Sequence, residues 1–377
     1  MVARGQIISR IEKALSRSRV VALLGPRQSG KTTLARAIAQ MHDAAFYDLE
    51  DSVDLAKLTL PREVLSSHRG LVVLDEIQFR PDLLPLLRVL ADRKPLPAKF
   101  LILGSASPDV MRHASESLAG RLEFIEIQGF HLMETGIETQ QDHWQRGGFP
   151  LSYLAQNDED SFVWRESFIR TFLERDLRAF GFNASPHAMS RLWRMIAHSH
   201  GGQLNCSELG RSLGESSPTV RRHIEILAGV FMVRLLEPWH ENLGKRLVKQ
   251  PKIYVRDSGL LHTLLGVGSH DELHGHPKCG ASWEGYCIEQ LIQQHPDAAP
   301  YFWATQSGAE LDLLLIKRGK RLGFEMKYSE TPTTTKSMHV AIADLQLDKL
   351  TVVHPGSARF PLSEKIEAVP LASLLEV

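Results

Sequence analysis

Apolar positions along the chain fall into two rhythms. Ile7, Ile8, Ile11 and Leu15 recur at helical spacing and predict a short helix over 6–17. Apolar-rich runs then read as strands: "VVALLG" at 20–25, "AAFYDLED" at 44–51, "GLVVLDEIQ" at 70–78 and "KFLILGSAS" at 99–107. The run "KTTLARAIAQ" after the first strand reads as a helix. Near-continuous apolar strands alternating with helices predict a parallel sheet covered on both faces. The pattern loosens from 120 onward, until 161–180 reads as a helix with Phe162, Phe168, Phe172 and Leu173 among its apolar positions.

Three short helices are predicted next, over 187–202, 205–214 and 216–230, the first ended by Gly201-Gly202 and the second by Gly214. The third has Pro218 in its first turn and Val220, Ile224 and Leu227 as its core face. Two strands follow, at 231–239 and 251–257, and this order is a winged-helix pattern. A segment rich in Gly and His, 266–281, reads as a linker. A helix at 282–295, strands at 301–305, 310–316, 321–329 and 349–355, and a helix near 335–344 complete the chain. The expected organisation is 1–140, 141–186 as a helical connector, 187–265 and 266–377.

Composition narrows this picture without redirecting it. At 377 residues two or three domains are expected. Lys+Arg and Asp+Glu both number 44, so whole-chain charge gives no argument for a nucleic-acid partner, and any basic surface must be local. The three cysteines, Cys206, Cys279 and Cys287, form no C-x-x-C pair, which points to a reducing compartment. No apolar N-terminal core or membrane-length run is present, and a cytoplasmic protein with no membrane partner is expected.

The first candidate chemistry is "GPRQSGKTTL". Gly25, Pro26, Arg27, Gln28, Ser29, Gly30, Lys31, Thr32 and Thr33 follow a strand and open a helix, the setting a phosphate-binding loop requires. Loop amides and the helix N-terminus would face phosphate oxygens, Lys31 would reach the terminal phosphates, and Thr32 would offer its hydroxyl to magnesium. Asp75 ends the apolar run "LVVLD" where a carboxylate helps hold that ion, and Glu76 beside it is placed to polarise an attacking water. Ser105, at the tip of a neighbouring strand, is either a sensor of the terminal phosphate or a turn cap. Arg121 is either a transition-state arginine, for its own or a neighbouring site, or a surface arginine at a helix end.

A second set lies near the C-terminus. Alternation puts Glu310 and Asp312 on one strand face, with Leu314 and Ile316, and Glu325 with Lys327 on one face of the next. Glu284 falls within the apolar arc of a helix whose stripe is Trp283, Cys287 and Leu291, while Glu289 is expected to point away. Converging Glu284, Asp312 and Glu325 would need a cation, and a magnesium ion there, with Lys327 orienting water, suits phosphodiester hydrolysis. The other reading is solvated strand ends with a salt bridge.

Two further sets of side chains stand out. Thr219, Arg221, Arg222 and His223 on the third short helix, with Lys245, Arg246, Lys249 and Lys252 in the hairpin, form a DNA-contacting surface or a protein-docking one. His262, His270, His274, His276 and Cys279 read as residues of a His-rich linker before a zinc site.

In combination "GPRQSGKTTL", "VVLDEIQ", "LILGSAS", "SLAGR", "GGFP", "FLERDL", "KIYVRDSGLL", "WEGYCIEQL", "ELDLLLI" and "FEMKYS", in this order along nearly the whole chain, resemble the prokaryotic AAA-type P-loop ATPases with a C-terminal domain of unknown function. The resemblance implies an α/β P-loop NTPase sheet, a winged-helix unit and a restriction-endonuclease-like α/β domain. It also implies nucleotide roles for Lys31, Thr32, Asp75 and Glu76, and a nuclease-like pattern at Glu284, Asp312, Glu325 and Lys327. The expectation is an ATP- and Mg2+-using switch or motor acting on DNA; the alternative is a nucleotide-dependent protein-binding module with an inactive nuclease-like domain. A homo-oligomer is compatible with either.

Overall fold

The computed structural model describes residues 2–106, 118–179, 182, 184–240 and 247–376, with the side chain of residue 179 excepted. The chain divides into two compact units, Met1–Phe130 with Gly229–Phe231, and His131–Ala228 with Met232–Val377.

In the first unit β1 (Val20–Leu24), β2 (Ala45–Asp48), β3 (Gly70–Asp75), β4 (Ala98–Gly104) and β5 (Leu122–Glu126) form one parallel sheet in the order β2-β3-β4-β1-β5. The expected parallel sheet is therefore present, with β5 added in a stretch where the apolar pattern is weak. All five residues of β1 are buried, because both sheet faces are covered. The helices Gly5–Arg17 and Lys31–His42 contribute Ile11, Leu15, Leu34 and Ile38 to a core with Val21, Leu23, Val73 and Leu101. Parallel strands without β-hairpins bring the loops after β1, β3 and β4 to one edge of the sheet, which is where ligands bind in such folds.

In the second unit the helices Pro186–His198, Cys206–Leu213 and Ser217–Gly229 precede an antiparallel pair, β6 (Val233–Leu236) and β7 (Lys252–Val255). This is the element order read from the sequence. A six-stranded mixed sheet follows, built from β8 (Ala299–Ala304), β9 (Glu310–Lys317), β10 (Lys320–Met326), β11 (Leu350–His354), β12 (Phe360–Pro361) and β13 (Ile366–Pro370) in the order β12-β13-β11-β10-β9-β8. Bridges Pro238↔Phe302 and Leu247↔Thr305 join the residues flanking the β6–β7 pair to β8 and its exit. The pair and the C-terminal sheet consequently share a unit.

Three expectations need correction here. The segment 266–281 is not a loose linker: it holds the short helix His270–His274, and Leu273 is fully buried in the core around Trp144 and Trp283. The helix after it starts earlier than predicted and spans Cys279–Gln294. The helix expected over 161–180 runs Asp158–Thr171 and then widens into a π-turn at Phe172–Asp176, which accommodates an extra residue per turn.

The motifs "GGFP" and "VRDSG" meet in this unit. The Asp257 carboxylate caps the helix Ser258–Leu265 by accepting from Leu260 N at 2.8 Å, and accepts from Gly148 N at 2.8 Å. Gly147 has φ +76°, and a Cβ there would lie 2.2 Å from Asp257 Oδ1. A Cβ on Gly259 would lie 2.1 Å from the Arg146 carbonyl oxygen.

Candidate functional site

The loop after β1 is drawn tight against the segment that follows β5. Gly25 N donates to Gly104 O at 3.3 Å, and a Cβ on Gly25 would fall 1.8 Å from Ile127 O, so backbone approaches backbone there. Gln28 and Gly30 take left-handed φ values of 62° and 90°, turning the loop into the N-terminus of the helix Lys31–His42. Lys31 is buried, and its ammonium donates to Gly25 O at 3.0 Å and Pro26 O at 2.7 Å. Burial lowers its pKa to about 8, against the opposing pull of Glu76 and Asp75. Arg27 pairs with Glu50 at 2.6 Å, and Thr33 points to solvent.

Facing the loop, Thr32 Oγ1 donates to Asp75 Oδ2 at 2.7 Å. Asp75 is buried, which raises its pKa while the Thr32 bond lowers it. Glu76 sits in the left-handed region, φ 54°, an unusual conformation for a glutamate and a frequent mark of functional positions. Ser105 Oγ donates to both Glu76 oxygens, at 3.2 and 3.3 Å, and the Gln78 amide also donates to Glu76. Sequence-predicted Lys31, Thr32, Asp75, Glu76 and Ser105 are thus gathered at one sheet edge. The hydroxyl of Thr32 and the carboxylate of Asp75 are hard oxygen donors side by side, a set that fits a magnesium ion.

Arg121 lies elsewhere. It immediately precedes β5, and its carbonyl accepts from Val20 N at 3.2 Å, which places it at the amino-terminal edge of the sheet. The phosphate loop leaves the opposite edge, one five-residue strand away, or roughly 15 Å. Arg121 instead forms a two-pronged ion pair with Asp92, at 2.6 and 2.8 Å. Its expected role at the site of its own chain is corrected on these grounds. A residue that the sequence left unmarked is Arg4. Buried just before the first helix, it donates to the loop carbonyl Ser29 O at 3.0 Å and to Gln128 O and Gly129 O at 3.2 and 3.1 Å.

The C-terminal acids do come together, but around a lysine. Lys252, expected in the exposed hairpin, is 4% exposed at the start of β7. Its ammonium lies 3.0 Å from Glu284 Oε1 and 3.6 Å from Asp312 Oδ1 and pairs with Glu310. Burial works against its charge, but Glu284, Asp312 and Glu310 among its neighbours hold its pKa well above the ordinary lysine value. Tyr254 OH donates to Glu284 at 2.6 Å, Asp312 Oδ2 accepts from Met326 N at 2.9 Å, and Lys327 donates to Glu325 Oε1 at 2.8 Å. Burial, and then the Asp312 charge, pushes the carboxyls of Glu284 and Glu325 up. Among the described residues no three His, Cys, Asp or Glu side chains are grouped to hold a metal ion, so the three-carboxylate arrangement expected from the sequence is not the one adopted. Glu289, expected to point away, is buried and paired with Arg234 and, at 3.2 Å, with Arg256.

The surrounding polar residues settle into packing roles. His262 is fully buried: its Nδ1 lies 3.0 Å from Gln145 O and its Nε2 2.7 Å from Ser282 Oγ, which accepts from Trp144 Nε1 at 3.0 Å. Of the proposed DNA-facing residues, Lys245 and Arg246 lie outside the described residues, while Arg221, Arg222 and Lys249 are exposed. A cleft of about 640 Å³ is lined by Arg221 and Lys249 but also by Glu208 and Glu237, so its charge is mixed. Among the described residues no helix is long and apolar enough to cross a membrane.

Comparison with known proteins places this geometry. Residues 17–136 match an AAA domain family, 137–271 a domain of unknown function (DUF8612), and 279–374 a second domain of unknown function (DUF4143). Uncharacterized protein Rv2008c of Mycobacterium tuberculosis and uncharacterized protein Mb2031c of Mycobacterium bovis are each 46% identical over 375 residues, covering 100% of this chain and 85% of theirs. A Walker-type ATPase of Pyrococcus abyssi superposes with a TM-score of 0.51 at 16% identity, over 70% of this chain and 96% of that one, a likeness of fold.

Proposed function

This chain belongs to the AAA-type P-loop ATPases that carry a C-terminal domain of unknown function, and from that premise we propose that it is a magnesium-dependent ATP-hydrolysing switch whose second unit acts on DNA. The observation that carries the nucleotide half is Glu76, in a left-handed conformation and with its carboxylate bonded by Ser105 and Gln78, beside the Thr32–Asp75 pair. Loop amides and Lys31 bind the phosphates, Thr32 and Asp75 hold the ion, and Glu76 takes the proton of the attacking water while Ser105 orients its carboxylate. The magnesium ion, when bound, neutralises charge on the phosphate oxygens. Glu76→Gln is expected to retain ATP binding and to lower turnover on the order of a hundredfold or more. Unchanged hydrolysis in that variant, measured by phosphate release, removes Glu76 from the mechanism.

For the second unit, Asp312 on β9, Glu325 on the neighbouring β10 and Lys327 just past the end of β10 support phosphodiester cleavage with a divalent ion. Arg221, Arg222 and Lys249 are the candidate phosphate contacts. The competing reading, a catalytically inactive regulatory domain, is favoured by Lys252 seated among the acids. Magnesium-dependent plasmid nicking by the wild type that is lost in Asp312→Ala supports cleavage; equal nicking in both, or none in either, supports the regulatory domain.

A further inference from the structure

Lys252 is out of character for its position. Every residue of β7 is buried, and a buried lysine is costly unless its charge is matched closely. Here the match comes from three carboxylates on two elements: Glu284 from the helix Cys279–Gln294, and Glu310 and Asp312 from β9. The fourth wall is the Phe302 ring, whose centre lies 5.7 Å from the ammonium. Glu325, on the neighbouring strand β10, is 6% exposed, and its Oε2 has no hydrogen-bond partner among the described residues, whereas its Oε1 is taken by Lys327. Four carboxyl groups thus meet two ammonium groups in this region, and one buried carboxylate oxygen is left over.

We propose that Lys252 is an internal counter-ion that locks the acid cluster: its ammonium and a divalent cation compete for Glu284 and Asp312, so that β7 must release Lys252 before a metal ion can enter. The lock rests on reading these acids as a cation site, and goes beyond it by naming the group that closes the site. Closely set buried carboxylates need positive charge from some source. The ammonium supplies it without leaving coordination positions free. The lock also accounts for Glu284 being turned to Lys252 and Tyr254 rather than joining Asp312 and Glu325 in a group of three.

The test is Mn2+ binding to the full-length, nucleotide-free protein by isothermal titration. Lys252→Met keeps the apolar stem and removes the charge. It is expected to gain one Mn2+ equivalent on the order of tenfold or more tighter than any wild-type binding, and adding Asp312→Asn should abolish the gain. Lys252→Arg, which retains a cation, should match the wild type. Wild-type binding as tight as that of Lys252→Met, or no gain in Lys252→Met, overturns the lock. Should Lys252→Met fail to fold, Lys252→Met/Glu310→Gln removes one charge from each side of the ion-pair cluster and leaves Glu284 and Asp312 in place. A new Mn2+ site in that variant supports the lock, and its absence overturns it. Nicking is scored separately: Mn2+ uptake without nicking keeps the lock and removes cleavage from the second unit's function. ATP turnover through Glu76 reports on the first unit alone.

Discussion

At Gly25 a single methyl group would stand 1.8 Å from a backbone oxygen, far inside contact distance. Neither β1 nor the segment after β5 is free to give way, since Ile127 N also donates to Leu24 O at 2.7 Å. Gly25→Ala is therefore expected to displace the phosphate loop and to weaken ATP binding about tenfold or more; equilibrium binding of a fluorescent nucleotide checks it, and wild-type affinity contradicts it. Arg4 acts on the same loop from behind. Three carbonyls lose a charged donor in Arg4→Ala, and a destabilisation of about 2–4 kcal/mol is expected by denaturant unfolding. The phosphate loop was legible because its residues are contiguous and its geometry is local. Arg4 and Lys252 were not, because their partners are 25 to 125 residues away for the first and 32 away, at Glu284, for the second. No spacing rule reaches across such distances.

At the scale of elements, the helix Cys279–Gln294 carries more than an apolar stripe. Its Glu284 engages Lys252, its Glu289 engages Arg234 and Arg256, and its Ser282 receives Trp144 and faces His262. Sequence periodicity found the stripe at Trp283, Cys287 and Leu291, put Glu284 within its arc, and took Glu289 to point away from the core. That inference fails for a helix covered all round, whose polar residues are buried with partners. Glu289→Ala would remove the buried carboxylate that Arg234 and Arg256 share, and a loss of about 3–5 kcal/mol in unfolding free energy is expected. The helix Ser258–Leu265 and the turn after Pro186–His198 add a pH dependence. Burial lowers the pKa of both His262 and His200 to about 3. In the unfolded chain each binds a proton near pH 6.5, which the folded chain refuses until about pH 3. Stability from these two groups is thus complete above pH 6.5 and falls on acidification, by about 1.4 kcal/mol per unit for each histidine. Tryptophan fluorescence against pH reads this out, and His262→Gln should flatten part of the slope. The mistaken linker at 266–281 has a related cause: Gly and His mark loops by composition, yet Val267, Leu273 and Cys279 anchor the segment to the core.

For the whole molecule, equal numbers of acidic and basic residues mean that the proposed association with DNA is set by local surfaces rather than by overall attraction. The proposed DNA-directed switch then has a direct readout. ATP turnover by the intact chain should rise severalfold with saturating DNA, either single- or double-stranded, and the rise should fade as salt is added. A rate indifferent to both forms of DNA removes DNA from the function and leaves the protein-binding alternative. The α/β architecture and the order of elements were readable because alternation and caps are local signals. The partnership of the β6–β7 pair with the C-terminal sheet was not, since bridges such as Pro238↔Phe302 join segments that look like separate domains in the sequence.

The contact of Asp257 with Gly147, Gly148 and Leu260 has a practical side. Two stretches about a hundred residues apart are halves of one fastening, each sterically fitted to the other. A fragment cut anywhere between Gly148 and Asp257 keeps one half and exposes a surface shaped for the half it lost. Trimmed versions of this protein, and chimaeras that exchange its middle segment, should therefore carry both stretches from the same parent or neither.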